Sequence, residues 1–256
     1  MDSAEYHSAL SALAWQIELG ADTCISDAPI NRYEVSAKVE KTAAPVAVSA
    51  APSEAPAVGE VDVVAAARAA ADGAQDLEGL RAALEAYPHC ELKMGARNLV
   101  FSDGVPGARV MIVGEAPGRD EDREGRPFVG RAGQLLDKML AAIDLSRESS
   151  VYITNVLPWR PPQNRDPKPE EIAMMQPFLE RHIALAAPDV LVVVGNHACQ
   201  ALLGKRGITR LRGEWTEASG KPALPMFHPA YLLRNPAAKR EAWADLLSLK
   251  AKLRDG

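Results

Sequence analysis

An α/β fold of three layers, with helices on both faces of a central four-stranded parallel sheet, is what this sequence predicts. Short apolar runs at Val110–Val113, Val151–Asn155, Val190–Val194 and Ala223–Phe227 have the length of buried strands. Each is followed by a loop bearing glycine or proline and then by a helical pattern. Strands that alternate with helices pair in parallel, and their crossovers cover both faces of the sheet.

The elements follow in chain order. Residues 6 to 20 place apolar side chains at helical spacing and end at Gly20, which predicts an amphipathic helix within an N-terminal segment spanning 1–35. From 36 to 62 the composition collapses largely to Ala, Pro, Val, Ser and Glu with no aromatic residue, so a disordered linker is expected there. Residues 63–256 form the expected folded domain. It opens with helical patterns over 63–72 and 77–86, before the four strands. After the second strand a helix is expected to start at Lys168-Pro-Glu-Glu-Ile172, with proline in its first turn and carboxylates at the positive end of its dipole.

Bulk properties narrow the function classes. At 256 residues and 47% apolar composition the chain can bury one good core. No run of eighteen apolar residues occurs, and the N-terminus Met-Asp-Ser-Ala-Glu-Tyr is acidic, so a cytoplasmic protein without membrane insertion is expected. Cys24, Cys90 and Cys199 are odd in number and far apart, which reads as reduced thiols. The net charge of −5 argues against indiscriminate coating of nucleic acid. A local basic face is still expected, because Arg119, Arg123, Arg126, Arg131, Arg160 and Arg165 crowd a few loops.

Those loops are where chemistry is expected. The run Val110-Met-Ile-Val-Gly-Glu-Ala-Pro-Gly118 is a strand ending in a glycine-rich loop that carries a carboxylate. No Gly-Lys-Ser/Thr follows and Gly-x-Gly-x-x-Gly spacing is absent, so neither phosphate loop nor dinucleotide fingerprint is present. In an open α/β sheet the carboxyl ends of the strands meet at one crevice, which would bring together Glu115, Asn155, Asn196 and His228.

Four ordered blocks then carry a family resemblance. They are Gly114-Glu-Ala-Pro-Gly118 with Gly125-Arg-Pro-Phe-Val-Gly-Arg-Ala-Gly133, Ile153-Thr-Asn-Val156, Arg160-Pro-Pro-Gln-Asn-Arg165 and His228-Pro-Ala-Tyr-Leu-Leu233. Together they resemble the family 4 uracil-DNA glycosylases, over roughly residues 87 to 253. The resemblance implies an enzyme that flips uracil out of DNA and hydrolyses its N-glycosidic bond in base-excision repair. It also implies an iron–sulfur cluster held by four cysteines. The matching positions here hold Tyr87, Cys90, Trp159 and Met175, and a single thiolate cannot replace four. A cluster-free protein without a metal or other cofactor is therefore expected.

The resemblance, joined to the chemistry of the bond, suggests roles for residues. It sets Phe128 against the extruded ring, since base stacking on an aromatic face is sequence-tolerant. Asn155 is the expected reader of the pyrimidine edge, because an amide can accept from N3–H and donate to O4 of uracil. His228 is expected to stabilise the charge that develops on uracil O2. In the Gln-Asp-Pro-Tyr-His glycosylases a carboxylate follows the glutamine by one place, and here that place is Ala116. Glu115 is then the first candidate to act at the sugar and Glu121 the second, while Gly114 and Ala116 line the base site. Tyr231, Leu232, Leu233 and Arg234 form an apolar stretch bordered by arginine, as wedges that enter a base stack do. Arg131 and Arg165 are expected on phosphate.

Two other readings stay open on sequence. Alanine at position 116 and the lost cluster would also suit a non-catalytic DNA-binding module that recognises uracil or abasic sites. Asp120, Glu121, Asp122 and Glu124 would suit the metal site of a nuclease. The partner expected throughout is uracil-containing DNA, single- or double-stranded, bound by a monomer that releases an abasic product.

Overall fold

A computed structural model describes residues 62–255. The helix expected over residues 6–20 lies outside them, as does the linker through residue 61. Asp62, the last residue of that linker, is described. Its carboxylate accepts from Val64 N and Ala65 N, each at 3.0 Å, and so caps the first helix.

Six strands form one sheet: β1 (Asp103–Gly104), β2 (Val110–Gly114), β3 (Val151–Asn155), β4 (Val190–Val194), β5 (Thr216–Ala218) and β6 (Lys221–Met226), in the order β1-β3-β2-β4-β6-β5. The helices are α1 (Val63–Gly73), α2 (Leu77–Ala86), α3 (Leu92–Gly95), α4 (Arg119–Glu124), α5 (Arg131–Ala141), α6 (Pro169–Ala186), α7 (Asn196–Leu203), α8 (Ile208–Leu211), α9 (Pro229–Arg234) and α10 (Lys239–Asp255). The four expected strands are the four central ones and run parallel. The sheet itself is mixed, because β1 and β5 add antiparallel edges. Two- and three-residue strands carry no periodicity, which is why the sequence did not announce them.

Side chains of the central strands alternate between two cores. Met111, Val113, Tyr152, Leu191 and Val193 face one side, where they meet Ala67 and Ala71 of α1, Leu80 and Leu84 of α2, and Met175, Phe178 and Ile183 of α6. Val110, Ile112, Val151, Ile153, Val190 and Val192 face the other, against Leu136 and Leu140 of α5 and Leu246 and Leu249 of α10. Both faces of a parallel sheet are thus covered, so its strands read as continuous apolar runs. Helix α6 starts where the sequence expected. Pro169 opens it, and Glu171 accepts from Lys168 N at 2.9 Å.

Chain order sets the place of the site. From β2 the chain crosses to β3 on one side and then to β4 on the other, so β2 and β4 are neighbours whose following loops diverge. A crevice at the carboxyl ends of the strands is the consequence.

Candidate active site

A cavity of about 540 Å³ occupies that crevice, lined among others by Glu115, Phe128, Asn155, His197, His228 and Arg234. Four of these side chains are delivered by strand ends. Asn155 closes β3, Glu115 follows β2, His197 follows β4 in the first turn of α7, and His228 follows β6. The β2 loop is tied to the chain beyond β3 by Val156 N to Gly114 O at 2.9 Å and Leu157 N to Glu115 O at 3.0 Å.

Phe128 is held under strain. Its φ of 54° is left-handed, a conformation rarely adopted by an aromatic residue. Two features hold it there. Gly133 has no Cβ, and one would overlap the Phe128 carbonyl. Arg147 donates from Nη2 to that same carbonyl at 2.7 Å and from Nη1 to Asp103 at 2.7 Å. The ring is buried and lies 5.5 Å from the His228 ring, with 29° between the planes.

Asn155 as a residue is 6% exposed, and its amide makes no hydrogen bond with a described residue. An amide without a protein partner, open to the wall of a cavity, is ready for a ligand edge. His228 caps α9, with Nδ1 accepting from Ala230 N at 3.1 Å. That bond assigns the ring proton to Nε2. Burial, with Arg234 nearby, pushes the His228 pKa down to about 4, so the neutral ring is a hydrogen-bond donor at neutral pH.

Glu115 points its Oε2 at His197 Nδ1, 2.6 Å away, and Asp166 Oδ2 lies 3.9 Å from His197 Nε2. The sequence missed His197, which sits in an ordinary helical pattern with no motif around it. Among the described residues, Glu115, Asp166 and His197 are the one group of acidic, histidine or cysteine side chains with the spacing of metal ligands. Asp120, Glu121, Asp122 and Glu124 do not form such a group. Asp122 accepts from Arg97 N at 2.8 Å and Asn98 N at 3.3 Å, and Glu124 pairs with Arg123 and Arg126.

Other expected site residues sort by exposure and partners. Glu121 has both oxygens occupied, Oε2 by Gly118 N at 3.1 Å and Oε1 by Val129 N and Gly130 N at 3.0 and 2.8 Å. It lines the cavity but ties the two halves of the loop together. Ala116 lines the cavity and packs against the core, and Gly114 is buried between Asn155 and Phe128. Arg165 lines the cavity while paired with Glu171 at 2.5 Å. Arg131 and Arg234 are exposed and form no ion pair with a described residue. Tyr231 stacks on Phe227 at 4.9 Å. The two leucines part: Leu232 is 1% exposed and belongs to the core, whereas Leu233 is 37% exposed. Burial of Leu232 removes it from any surface that DNA could reach.

The four positions matched to cluster ligands are all buried in one apolar core. Tyr87 donates its hydroxyl to Val63 O at 2.6 Å and sets its ring edge-on to Phe178 at 5.3 Å. Burial raises the Cys90 thiol, and Trp159 and Met175 are 3% and 1% exposed. One protonated thiol among an indole, a phenol and a thioether does not fit a four-thiolate cluster.

Comparison with known proteins gives the family of the chain. Residues 101–247 match the family model described as the uracil DNA glycosylase superfamily. A type-4 uracil-DNA glycosylase of Thermotoga maritima is 46% identical over 151 residues, covering 57% of this chain and 77% of that protein. One of Archaeoglobus fulgidus is 43% identical over 165 residues, covering 61% and 82%. One of Sulfurisphaera tokodaii is 39% identical over 173 residues, covering 64% and 79%.

Proposed function

The chain belongs to the uracil DNA glycosylase superfamily, and from that premise we infer that it is a monofunctional uracil-DNA glycosylase that hydrolyses the N-glycosidic bond of uracil in DNA repair. The observation that carries this reading is the convergence of an unpartnered Asn155 amide, the Phe128 ring and a neutral His228 on one cavity.

Uracil in a duplex is stacked and paired, so it must leave the helix to reach this cavity. Phe128 takes the face of the extruded ring. Asn155 accepts from N3–H and donates to O4, and cytosine offers the reverse pattern. His228 donates from Nε2 to uracil O2, where negative charge grows as the bond breaks. A donor used mainly in the transition state raises the rate. Glu115 faces the sugar, stabilises the oxocarbenium-like cation and orients the attacking water. Glu121 acts through the loop it ties together. Gly114 and Ala116 leave room for the base. Leu233 enters the vacated stack, Tyr231 supports it, Leu232 anchors it from the core, and Arg131, Arg165 and Arg234 meet phosphates. The protein works as a cluster-free cytoplasmic monomer on uracil-containing DNA and leaves an abasic site. No helix of the described residues is long and apolar enough to cross a membrane.

A labelled uracil oligonucleotide tests the reading. Strand cleavage only after alkali, unaffected by EDTA, is expected. Cleavage without alkali that EDTA stops would mean a nuclease, and a band shift without cleavage would mean a binding module.

A further inference from the structure

We propose that His197 is a positioning residue that fixes the catalytic orientation of Glu115, a role that rests on the reading of Glu115 given above. The need for such a residue follows from the place of Glu115. Its backbone is pinned by Leu157 N, but its side chain has three free torsions, projects into a cavity and is 29% exposed. Among the described residues the His197 imidazole is the one hydrogen-bond partner of that carboxylate. A carboxylate left to rotate would meet the sugar in the right pose for only a fraction of the time.

His197 is well placed to prevent this. It stands in the first turn of α7 directly after β4, and its side chain is 12% exposed. Strand β4 is the neighbour of β2 in the sheet, so the bond from His197 to Glu115 spans the point where the two following loops diverge. The carboxylate oxygen accepts, so Nδ1 donates, at 2.6 Å. Only Oε2 is used, which leaves Oε1 free for water or the sugar cation. The opposite ring nitrogen looks toward Asp166, whose side chain is 85% exposed on the loop that carries Arg165. That carboxylate, 3.9 Å from Nε2, biases the ring orientation without fixing it. The two cavity histidines therefore divide the work. His228 serves the leaving base, and His197 serves the carboxylate on the sugar side.

Single-turnover excision and binding curves on a uracil-containing single strand test this with His197→Ala, His197→Asn, Glu115→Gln and the His197→Ala/Glu115→Gln double variant. Asparagine is chosen because its amide nitrogen falls near the position of imidazole Nδ1. His197→Ala should lower the maximal rate about 10- to 100-fold, with binding changed less than about twofold. His197→Asn should recover most of the rate. In the Glu115→Gln background His197→Ala should slow excision no further, because two groups acting as a unit are not additive. A wild-type rate for His197→Ala beside a slow Glu115→Gln would overturn the proposal and leave the role of Glu115 standing. A wild-type rate for Glu115→Gln would instead defeat the role of Glu115 itself. Should His197→Ala melt early, His197→Gln, whose nitrogen lies near Nε2 instead, replaces it. Equal rates for the Asn and Gln variants would then overturn the proposal. A rate that EDTA abolishes and a divalent ion restores would assign the three side chains to a metal and overturn it as well.

Discussion

Gly114 and Asn155 are register partners at the ends of β2 and β3, and a Cβ on Gly114 would collide with the Asn155 side-chain oxygen and stand 2.6 Å from the Phe128 ring. The absence of a side chain at one position is thus what allows an amide and an aromatic ring to share a wall. Gly114→Ala should displace both, lowering uracil excision by about 10²-fold while costing the fold about 1–3 kcal/mol. Single-turnover rates and urea unfolding would check the two parts, and an Ala variant with wild-type rate would refute the shared wall.

The α9 leucines should separate by assay. Leu232→Ala opens a hole in the core and should cost about 2–5 kcal/mol of stability. Leu233→Ala should leave stability unchanged and slow excision from duplex DNA more than from single strands, because only a duplex has a stack to fill. Equal loss on both substrates would remove Leu233 from the wedge role.

The purified protein should be colourless and free of iron, and Cys90→Ala should keep its excision rate within about twofold while losing some stability to the cavity. Iron near four atoms per chain, with an absorption band of sulfur-to-iron charge transfer, would reverse this reading of Tyr87, Cys90, Trp159 and Met175.

Much of this was legible in the sequence, for a physical reason. Buried parallel strands are uniform apolar runs, so β2, β3, β4 and β6 were visible, and their carboxyl ends had to meet. Glu115, Asn155 and His228 were therefore expected at one crevice, and they line one cavity although they lie far apart in the chain. What escaped was set by tertiary contact alone. His197 and Arg147 belong to no motif, and their importance comes from what they touch, Glu115 and the Phe128 carbonyl. The partners of Glu121 are backbone amides eight and nine residues away, which no side-chain pattern reports. Leu232 and Leu233 are adjacent and alike in sequence, and only the facing of a short helix tells them apart.

Acid should unfold the protein through its neutral histidines. His182 is buried against Tyr152, 2.8 Å away, and against the Phe101 ring, and burial lowers its pKa to about 3; that of His228 is about 4. The unfolded chain binds these protons near pH 6.5, so it takes up more protons than the fold as pH drops below that value. Stability is complete above about pH 6.5 and falls as pH approaches the folded values. Down to pH 4 the share of His182 alone is about 3 kcal/mol. Urea midpoints at pH 7 and pH 4.5 should differ less in His182→Gln than in the wild type. An identical pH dependence would refute the neutral buried ring.

The sharpest check on the chemistry contrasts His228→Ala with Asn155→Ala. In the proposed mechanism the negative charge on the oxygen that His228 Nε2 serves develops only as the bond breaks. Its loss should lower the single-turnover rate by about 10²–10³-fold with little change in uracil-DNA affinity. The variant would bind and cut slowly. In the same mechanism Asn155 meets the base edge as soon as uracil enters, so its loss should weaken binding and the preference over cytosine by roughly 1–3 kcal/mol. Both substitutions leave Gly133 and Arg147, which hold the Phe128 backbone, in place. Rates and binding curves on matched U·G and C·G duplexes separate the two. If His228→Ala cuts at the wild-type rate, the oxyanion role fails. If Asn155→Ala keeps full preference for uracil, the base is read by some other group in the cavity.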